Sequence, residues 1–407
     1  MECGVCKHKL IKFLSLGSMP LANSFLPKEE LDKEEKSFPL EACFCDKCKL
    51  VQLSYVVDPE IMFRSYVYVS STTKTFRQHF AKMAEEITKE FGLNKDSLAV
   101  DIGSNDGVLL KPFKELGIQT IGVEPAANIA KIAEQNGIET INDFFSSDVV
   151  SLIIEKKGNA DVITATNVFA HIRGISGVVE NVKALLKKGG IFVIEVQYLI
   201  DTIEKMTFDN IYHEHLYYYT LTSLVNFFKK HGMEVFDVKR VGSHGGSLRV
   251  FIKRQEDWHE IKGSVNEILG YEKKIGADSI GLYKKFAGDV CSAKEKLVSC
   301  IKSIKEQGKT IAAYGAPAKG NTLLNFCGIG AECIDYAVED NPLKIGLFTP
   351  GTHIPVVSPK ALDEKMPDYI LILAWNFAKE ILEKTKKYAE QGVKFIIPLP
   401  EPRIVQQ

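Results

Sequence analysis

Tyr212-His213-Glu214-His215 holds the densest cluster of titratable groups in the chain. Histidine changes charge near neutrality and so suits a general base. A neighbouring Glu can orient an imidazole or bind a hydroxyl, and a Tyr can donate to a developing oxyanion. His-x-His pairs also occur in metal sites, but no further His or carboxylate gathers beside this one, which favours proton transfer. The run that follows, Leu216-Tyr217-Tyr218-Tyr219, reads as packing.

A second chemistry-bearing stretch is Asp101-Ile102-Gly103-Ser104-Asn105-Asp106-Gly107. It follows the short apolar strand Leu98-Ala99-Val100 and leads into a helix start at Val108-Leu109-Leu110. Strand, acid, Gly-rich turn and helix together form the cradle that parallel α/β domains offer a nucleoside cofactor. The spacing is D-x-G-x-x-x-G, which favours the S-adenosylmethionine turn over the pyrophosphate turn. Roughly 20 residues on, where a ribose-binding acid belongs, Thr120-Ile121-Gly122-Val123 ends in Glu124. Glycines alone could make a turn that binds nothing; Glu124 tips the reading towards a cofactor.

Cys3 and Cys6 form one C-x-x-C, and Cys45 and Cys48 another. Four thiolates close a tetrahedral zinc site, which is then structural, because zinc catalysis needs an open position. Cys43 could replace Cys45, and His8 is a less favoured substitute; Cys291, Cys300, Cys327 and Cys333 lack ligand spacing.

Tyr66 and Tyr68, followed by Ser70-Ser71-Thr72-Thr73, could reach the cofactor cleft or could form an ordinary surface strand. In His244-Gly245-Gly246-Ser247 the glycines permit close approach to a ligand or make a turn. Gly315-Ala316-Pro317-Ala318-Lys319-Gly320-Asn321-Thr322 again follows a strand and opens a helix. Helix-start amides attract phosphate, and Lys319 adds a cation. Glu339-Asp340-Asn341, at a second acidic strand end, could hold a sugar hydroxyl or a base. The chain is thus expected to bind two nucleotides, one as cofactor and one on the substrate.

These groups need several elements to position them. A chain of 407 residues is too long for one core. Its net charge of -1 argues against an electrostatic nucleic-acid binder. No apolar run nears the roughly 20 residues that cross a bilayer, and the start has no secretory pattern, so a cytoplasmic location is expected. The fold class is α/β in three parts: a small zinc-binding domain over 1–70, a central Rossmann-like domain over 71–255, and a smaller α/β domain over 256–407. In the central part, strands are expected at Leu98–Asp101, Thr120–Glu124, Thr140–Ile141, Asp161–Ala165, Ile191–Val196, Gly232–Val241 and Leu248–Lys253. This is a doubly wound sheet with antiparallel pairing at its end. Lys188-Gly189-Gly190 reads as a helix stop and turn. A charged helical stretch from Trp258 to Gln307 reads as a solvated face.

Taken in order, these motifs resemble the nucleotide-sugar C-methyltransferases of deoxysugar biosynthesis. The resemblance runs from the first C-x-x-C and Ser15–Asn23, through Cys45–Leu53, Ile102–Gly107, Val123–Ala126 and Asn167–Ile172, to Tyr212–His215, His244–Ser247 and Gly315–Gly320. It implies His215 as general base, with Tyr212, Glu214 and Tyr66 around the reacting sugar; Tyr68 is the alternative match for Tyr66. It implies a methyl-donor site of Asp101, Gly103, Asn105, Gly107, Glu124, Asp143, Asn167 and His171. It places Tyr68, His244, Gly246, Ser247, Gly315, Lys319, Asn321 and Asp340 around a nucleotide-linked 4-keto-6-deoxyhexose. It also implies structural zinc and a monomer.

Overall fold

A computed structural model describes residues 1–58 and 74–406, apart from the His244 side chain. Tyr66 and Tyr68 therefore lie outside the described residues. Three sheets carry the fold. The first is antiparallel: β1 (Ile11–Met19), β2 (Phe38–Phe44), β3 (Val51–Leu53) and, from far along the chain, β9 (Tyr217–Tyr218). Tyr217 and Tyr218 are buried, as a packing role requires.

The second sheet has seven strands in the order β10-β11-β8-β7-β4-β5-β6. These are β4 (Leu98–Ile102), β5 (Gln119–Val123), β6 (Thr140–Ile141), β7 (Ala160–Thr166), β8 (Leu186–Gln197), β10 (Met233–Val241) and β11 (Ser247–Arg254). β4 to β8 run parallel, and β11 pairs antiparallel with both β8 and β10. Helix α1 (Lys74–Glu90) presents Phe80, Met83 and Ile87 to the sheet residues Ala99, Val162 and Val193. Lys188-Gly189-Gly190 is a correction: it lies inside β8 and not at a helix stop. Ala160 pairs with Leu186 but Val162 with Ile191, so the glycines form a bulge where a stop had been read.

The third sheet, β14-β13-β12-β15-β16-β17, is parallel except for its last strand. It comprises β12 (Ile311–Tyr314), β13 (Tyr336–Val338), β14 (Val356–Val357), β15 (Tyr369–Ile372), β16 (Lys394–Ile397) and β17 (Arg403–Val405).

The charged stretch before β12 is the second correction. It is two helices, α2 (Gly263–Ile275) and α3 (Ile280–Glu306), separated at the left-handed Gly276. α2 belongs with the second sheet, although it lies beyond residue 255. Its buried Glu272 accepts the Leu221 and Thr222 amides at 2.6 and 2.8 Å, capping the helix Leu221–Lys230. α3 is not simply a solvated face. Tyr283, Phe286, Val290, Leu297, Ile301 and Ile304 form a buried stripe at helical spacing among the lysines. Tyr283 packs on Phe13 and Phe44 of the first sheet, with ring centroids at 5.3 and 4.9 Å. The same core continues into Ile311 and Leu371 of the third sheet.

Phe286→Ala should therefore cost about 3–5 kcal/mol, the usual range for emptying a buried aromatic site, measurable as a shift in chemical unfolding midpoint. An unchanged midpoint would mean that α3 is not the joint between the first and third sheets.

Candidate active site

In a doubly wound sheet, ligands sit where the strand order reverses. In the second sheet that point lies between β4 and β7, and the Gly-rich turn occupies it. Gly103 has φ +66, and a Cβ there would stand 2.7 Å from Val168; only glycine allows this approach. Asn105 and Asn167, on the two loops flanking the crevice, also take positive φ, 48 and 57, a strain typical of ligand sites. Glu124 clamps the turn: its Oε2 accepts the Asn105 amide at 3.0 Å and its Oε1 the Ala126 amide at 2.9 Å. Burial pushes this carboxyl above its ordinary value. A carboxylate accepts about four hydrogen bonds, so capacity remains for two ribose hydroxyls. Among the described residues, the buried Ser104 Oγ and Asn167 Oδ1 have no hydrogen-bond partner. Orphaned polar atoms in a crevice with a ribose-binding acid fit a nucleoside bearing N–H and O–H groups. Asp101 lies beneath the turn, fully buried, with Thr164 Oγ1 donating to it at 2.6 Å. Asp143 is exposed at the rim and caps the Phe144 amide at 2.7 Å.

Tyr212–His215 follows the short turn Phe208–Asn210. His215 Nδ1 donates to the Asn210 carbonyl at 2.8 Å, which leaves the lone pair of the neutral ring on Nε2. The rings of Tyr212 and His171 stand 4.2 and 4.9 Å from His215. His171, expected with the cofactor, thus joins the His215 cluster. His213 points away to the Phe38 carbonyl at 3.1 Å, and burial pushes its imidazole below the ordinary value. Glu214 accepts from Asn23 Nδ2 at 2.6 Å, and burial raises its carboxyl despite nearby Lys344.

The substrate residues divide. The turn at Gly315 sits at the strand-order reversal of the third sheet, and Glu339 accepts the Ala316 amide at 3.0 Å. Lys319 Nζ bonds Asn376 and lies 4.9 Å over the Trp375 ring. Asp340 is exposed and paired with Lys384. Asn321 is buried and donates to the Ala22 carbonyl at 2.8 Å. Gly246 has a packing reason for lacking a side chain, since a Cβ would stand 2.3 Å from Asp201. Ser247 Oγ is taken by the Ser243 carbonyl at 3.0 Å.

Two groups escaped the sequence reading. Asp209 is fully buried and accepts from Trp375 Nε1 at 2.7 Å. Glu195, at the end of β8, is also fully buried and takes His79 Nε2 at 2.8 Å, Ser243 Oγ at 2.6 Å and Arg249 Nε at 3.1 Å. Burial alone would raise its carboxyl, but these donors hold it below the usual range. An acid ending an apolar strand was the available signal.

Beside the first sheet, in the turns before β1 and after β2, the sulfurs of Cys3, Cys6, Cys45 and Cys48 lie within 4.8 Å of one another. Cys3–Cys48 and Cys6–Cys45 are 3.6 and 3.4 Å apart. Four thiolates at about 2.3 Å from one ion stand about 3.8 Å apart, so the cluster fits a tetrahedral metal. Neither Cys43 nor His8 belongs to it.

A Gly-rich turn and acid at the reversal of such a sheet define a Rossmann-type domain that binds a nucleoside cofactor. Family models match in series: a zinc binding domain over residues 3–63, a methyltransferase domain over 75–238 and a C-methyltransferase C-terminal domain over 242–400. The C-methyltransferase NovU of Streptomyces niveus is 38% identical over 405 residues, 99% of this chain and 96% of that protein. A ubiquinone biosynthesis O-methyltransferase of Bradyrhizobium is 30% identical over 98 residues, covering 23% of this chain and 38% of that protein. Among solved structures, magnesium protoporphyrin IX methyltransferase of Synechocystis has a TM-score of 0.35 at 12% identity, covering 47% of this chain and 90% of that one. The chain belongs to the C-methyltransferase family and is an S-adenosylmethionine-dependent enzyme. Among the described residues, no helix is long and apolar enough to cross a membrane.

The crevice also predicts a pH effect. Burial, helped by Glu124 and opposed by the Thr164 hydroxyl, pushes Asp101 up to about 7 from 3.8. Between those values the folded chain holds a proton that the unfolded chain has lost, so stability falls as pH rises from about 4 to about 7. Asp101→Asn should flatten this decline in melting temperature. A slope unchanged by the substitution would put the proton elsewhere.

Proposed function

We propose that this enzyme methylates carbon 3 of a nucleotide-linked 4-keto-6-deoxyhexose, with His215 as the base. The observation that carries the reading is the Nδ1–Asn210 hydrogen bond, which aims a basic Nε2 from a ring flanked by Tyr212 and His171. A carbon beside a ketone loses its proton only because the resulting charge spreads onto oxygen, so a base and an oxyanion donor are both needed. His215 removes the proton at carbon 3 and later releases it to water, while Tyr212 donates to the oxygen at carbon 4. Glu214, fixed by Asn23, takes a sugar hydroxyl, and Tyr66 or Tyr68 belongs to the same site. Glu124 holds the cofactor ribose, with the Gly103–Gly107 turn, Asn167 and Asp143 around the rest. When bound, S-adenosylmethionine would supply an electrophilic methyl group, its sulfur–methyl bond breaking to leave S-adenosylhomocysteine.

The nucleotide lies against Gly315, the Ala316 amide and Lys319, with Asp340 at the rim. The reading extends to a monomer in the cytoplasm, with neither nucleic acid nor membrane as partner. The alternative is O- or N-methylation of another small molecule.

The test is proton exchange at carbon 3 of such a sugar in deuterated water, followed by NMR without and then with the methyl donor. Exchange followed by a new carbon-bound methyl is expected. His215→Ala should lower both by at least about 10²-fold while cofactor still binds. No exchange and no methylation across several such sugars would favour the alternative. Near-normal turnover of the variant would remove His215 from the mechanism.

The four-cysteine cluster is assigned zinc in a purely structural role, because all four positions are protein thiolates. Metal analysis should give one zinc per chain. Cys45→Ser should lose it and lower the melting temperature, because metal affinity is folding energy here. A zinc-free native protein of equal stability would overturn the assignment.

A further inference from the structure

The turn Phe208–Asn210 is gripped from two sides. On one side the Asn210 carbonyl takes His215 Nδ1–H at 2.8 Å. On the other, Trp375 Nε1 donates to Asp209 Oδ2 at 2.7 Å from the loop after β15. Phe208 packs edge-on against Phe326, with ring centroids at 5.7 Å, so the third domain backs the whole turn. Asp209 is fully buried, and Lys319, whose charge partly compensates it, lies over the Trp375 ring. A buried carboxylate is costly without its donors, which ties Asp209 firmly to Trp375. The carbonyl that selects the His215 tautomer is therefore one peptide away from an anchor on another domain.

We propose that Asp209 and Trp375 are positioning residues for His215: their hydrogen bond fixes the turn whose next carbonyl holds Nδ1–H. The link to turnover rests on His215 being the base; the link to the tautomer does not. Rigid peptide geometry transmits any shift of Asp209 to Asn210, and misplacement of a base by about 1 Å can cost around 10²-fold in rate.

Trp375→Phe keeps an aromatic ring beneath Lys319 and removes one N–H. In the full chain without substrate, imidazole ¹⁵N NMR should show a single Nδ1–H tautomer for neutral His215, and a mixture with Nε2–H in Trp375→Phe. The variant's kcat should fall at least about tenfold with a smaller change in the sugar-nucleotide KM. Asp209→Asn, which still offers an oxygen to Trp375, should keep the tautomer and most of kcat. Asp209→Ala should mimic Trp375→Phe, so the comparison survives if either variant fails to fold. An unchanged tautomer in the folded variants would overturn the proposal. A mixed tautomer with unchanged kcat would support the positioning role and instead remove His215 as base.

Discussion

The site depends on how four residues after His215 are stitched between two sheets. Leu216 donates its amide to the Ala170 carbonyl at 2.8 Å and offers its own carbonyl to the Leu53 amide at 3.0 Å. Tyr218 pairs with Val51, and the Tyr219 carbonyl takes the Leu199 amide at 2.9 Å. Each such bond adds only about 1 kcal/mol net, but together they leave the strand one register. β9 belongs to the first sheet, its neighbours Leu216 and Tyr219 bond to Ala170 and Leu199 just beyond β7 and β8 of the second, and His215 immediately precedes this run. The first sheet thus helps fix the backbone that carries His215.

A second junction closes the site from the third sheet. Asn321 holds the Ala22 carbonyl, and Asn23 next to it holds Glu214. Lys344 adds its charge to the same corner, donating to the Ala316 carbonyl at 2.9 Å while lying near Glu214. The Ala22–Asn23 segment therefore touches the helix Ala318–Cys327 on one side and Glu214 on the other. This short segment thus sets the spacing between the Gly315 turn and Glu214.

Local rules read some of this from the sequence and could not read the rest. The paired C-x-x-C knuckles, the turn at Gly103 with Glu124, and the alternation of the central strands are short-range patterns. Both the cysteine cluster and the switch point follow from them. β9 is two residues inside an aromatic run, and nothing local marks it as the edge of a sheet built from residues 11–53. The stripe on α3 is hard to read in the sequence because six lysines are interspersed with its apolar positions, so charge masks periodicity. Asp209–Trp375 and Glu195–Arg249 join side chains far apart in sequence, and only tertiary packing brings them together.

The two doubly wound sheets solve the same problem with the same device. Each places a glycine turn at its strand-order reversal, where backbone amides face a crevice and need partners. Each answers with an acid ending the adjacent strand: Glu124 takes Asn105 and Ala126, and Glu339 takes Ala316, Asp340 and Asn341. An amide held by a carboxylate is already in place when a ligand arrives, so less ordering remains to be done on binding. The arrangement sets a sign as well as a shape. A carboxylate at the rim repels phosphate and welcomes hydroxyls. Among the described residues, no basic side chain pairs with Glu124, which suits a nucleoside carrying a sulfonium. Beside Glu339 stand Lys344 at 4.0 Å and, on the same turn, Lys319, which suits a nucleotide carrying phosphates. The same backbone device thus carries two different charge settings, set by the placement of lysines.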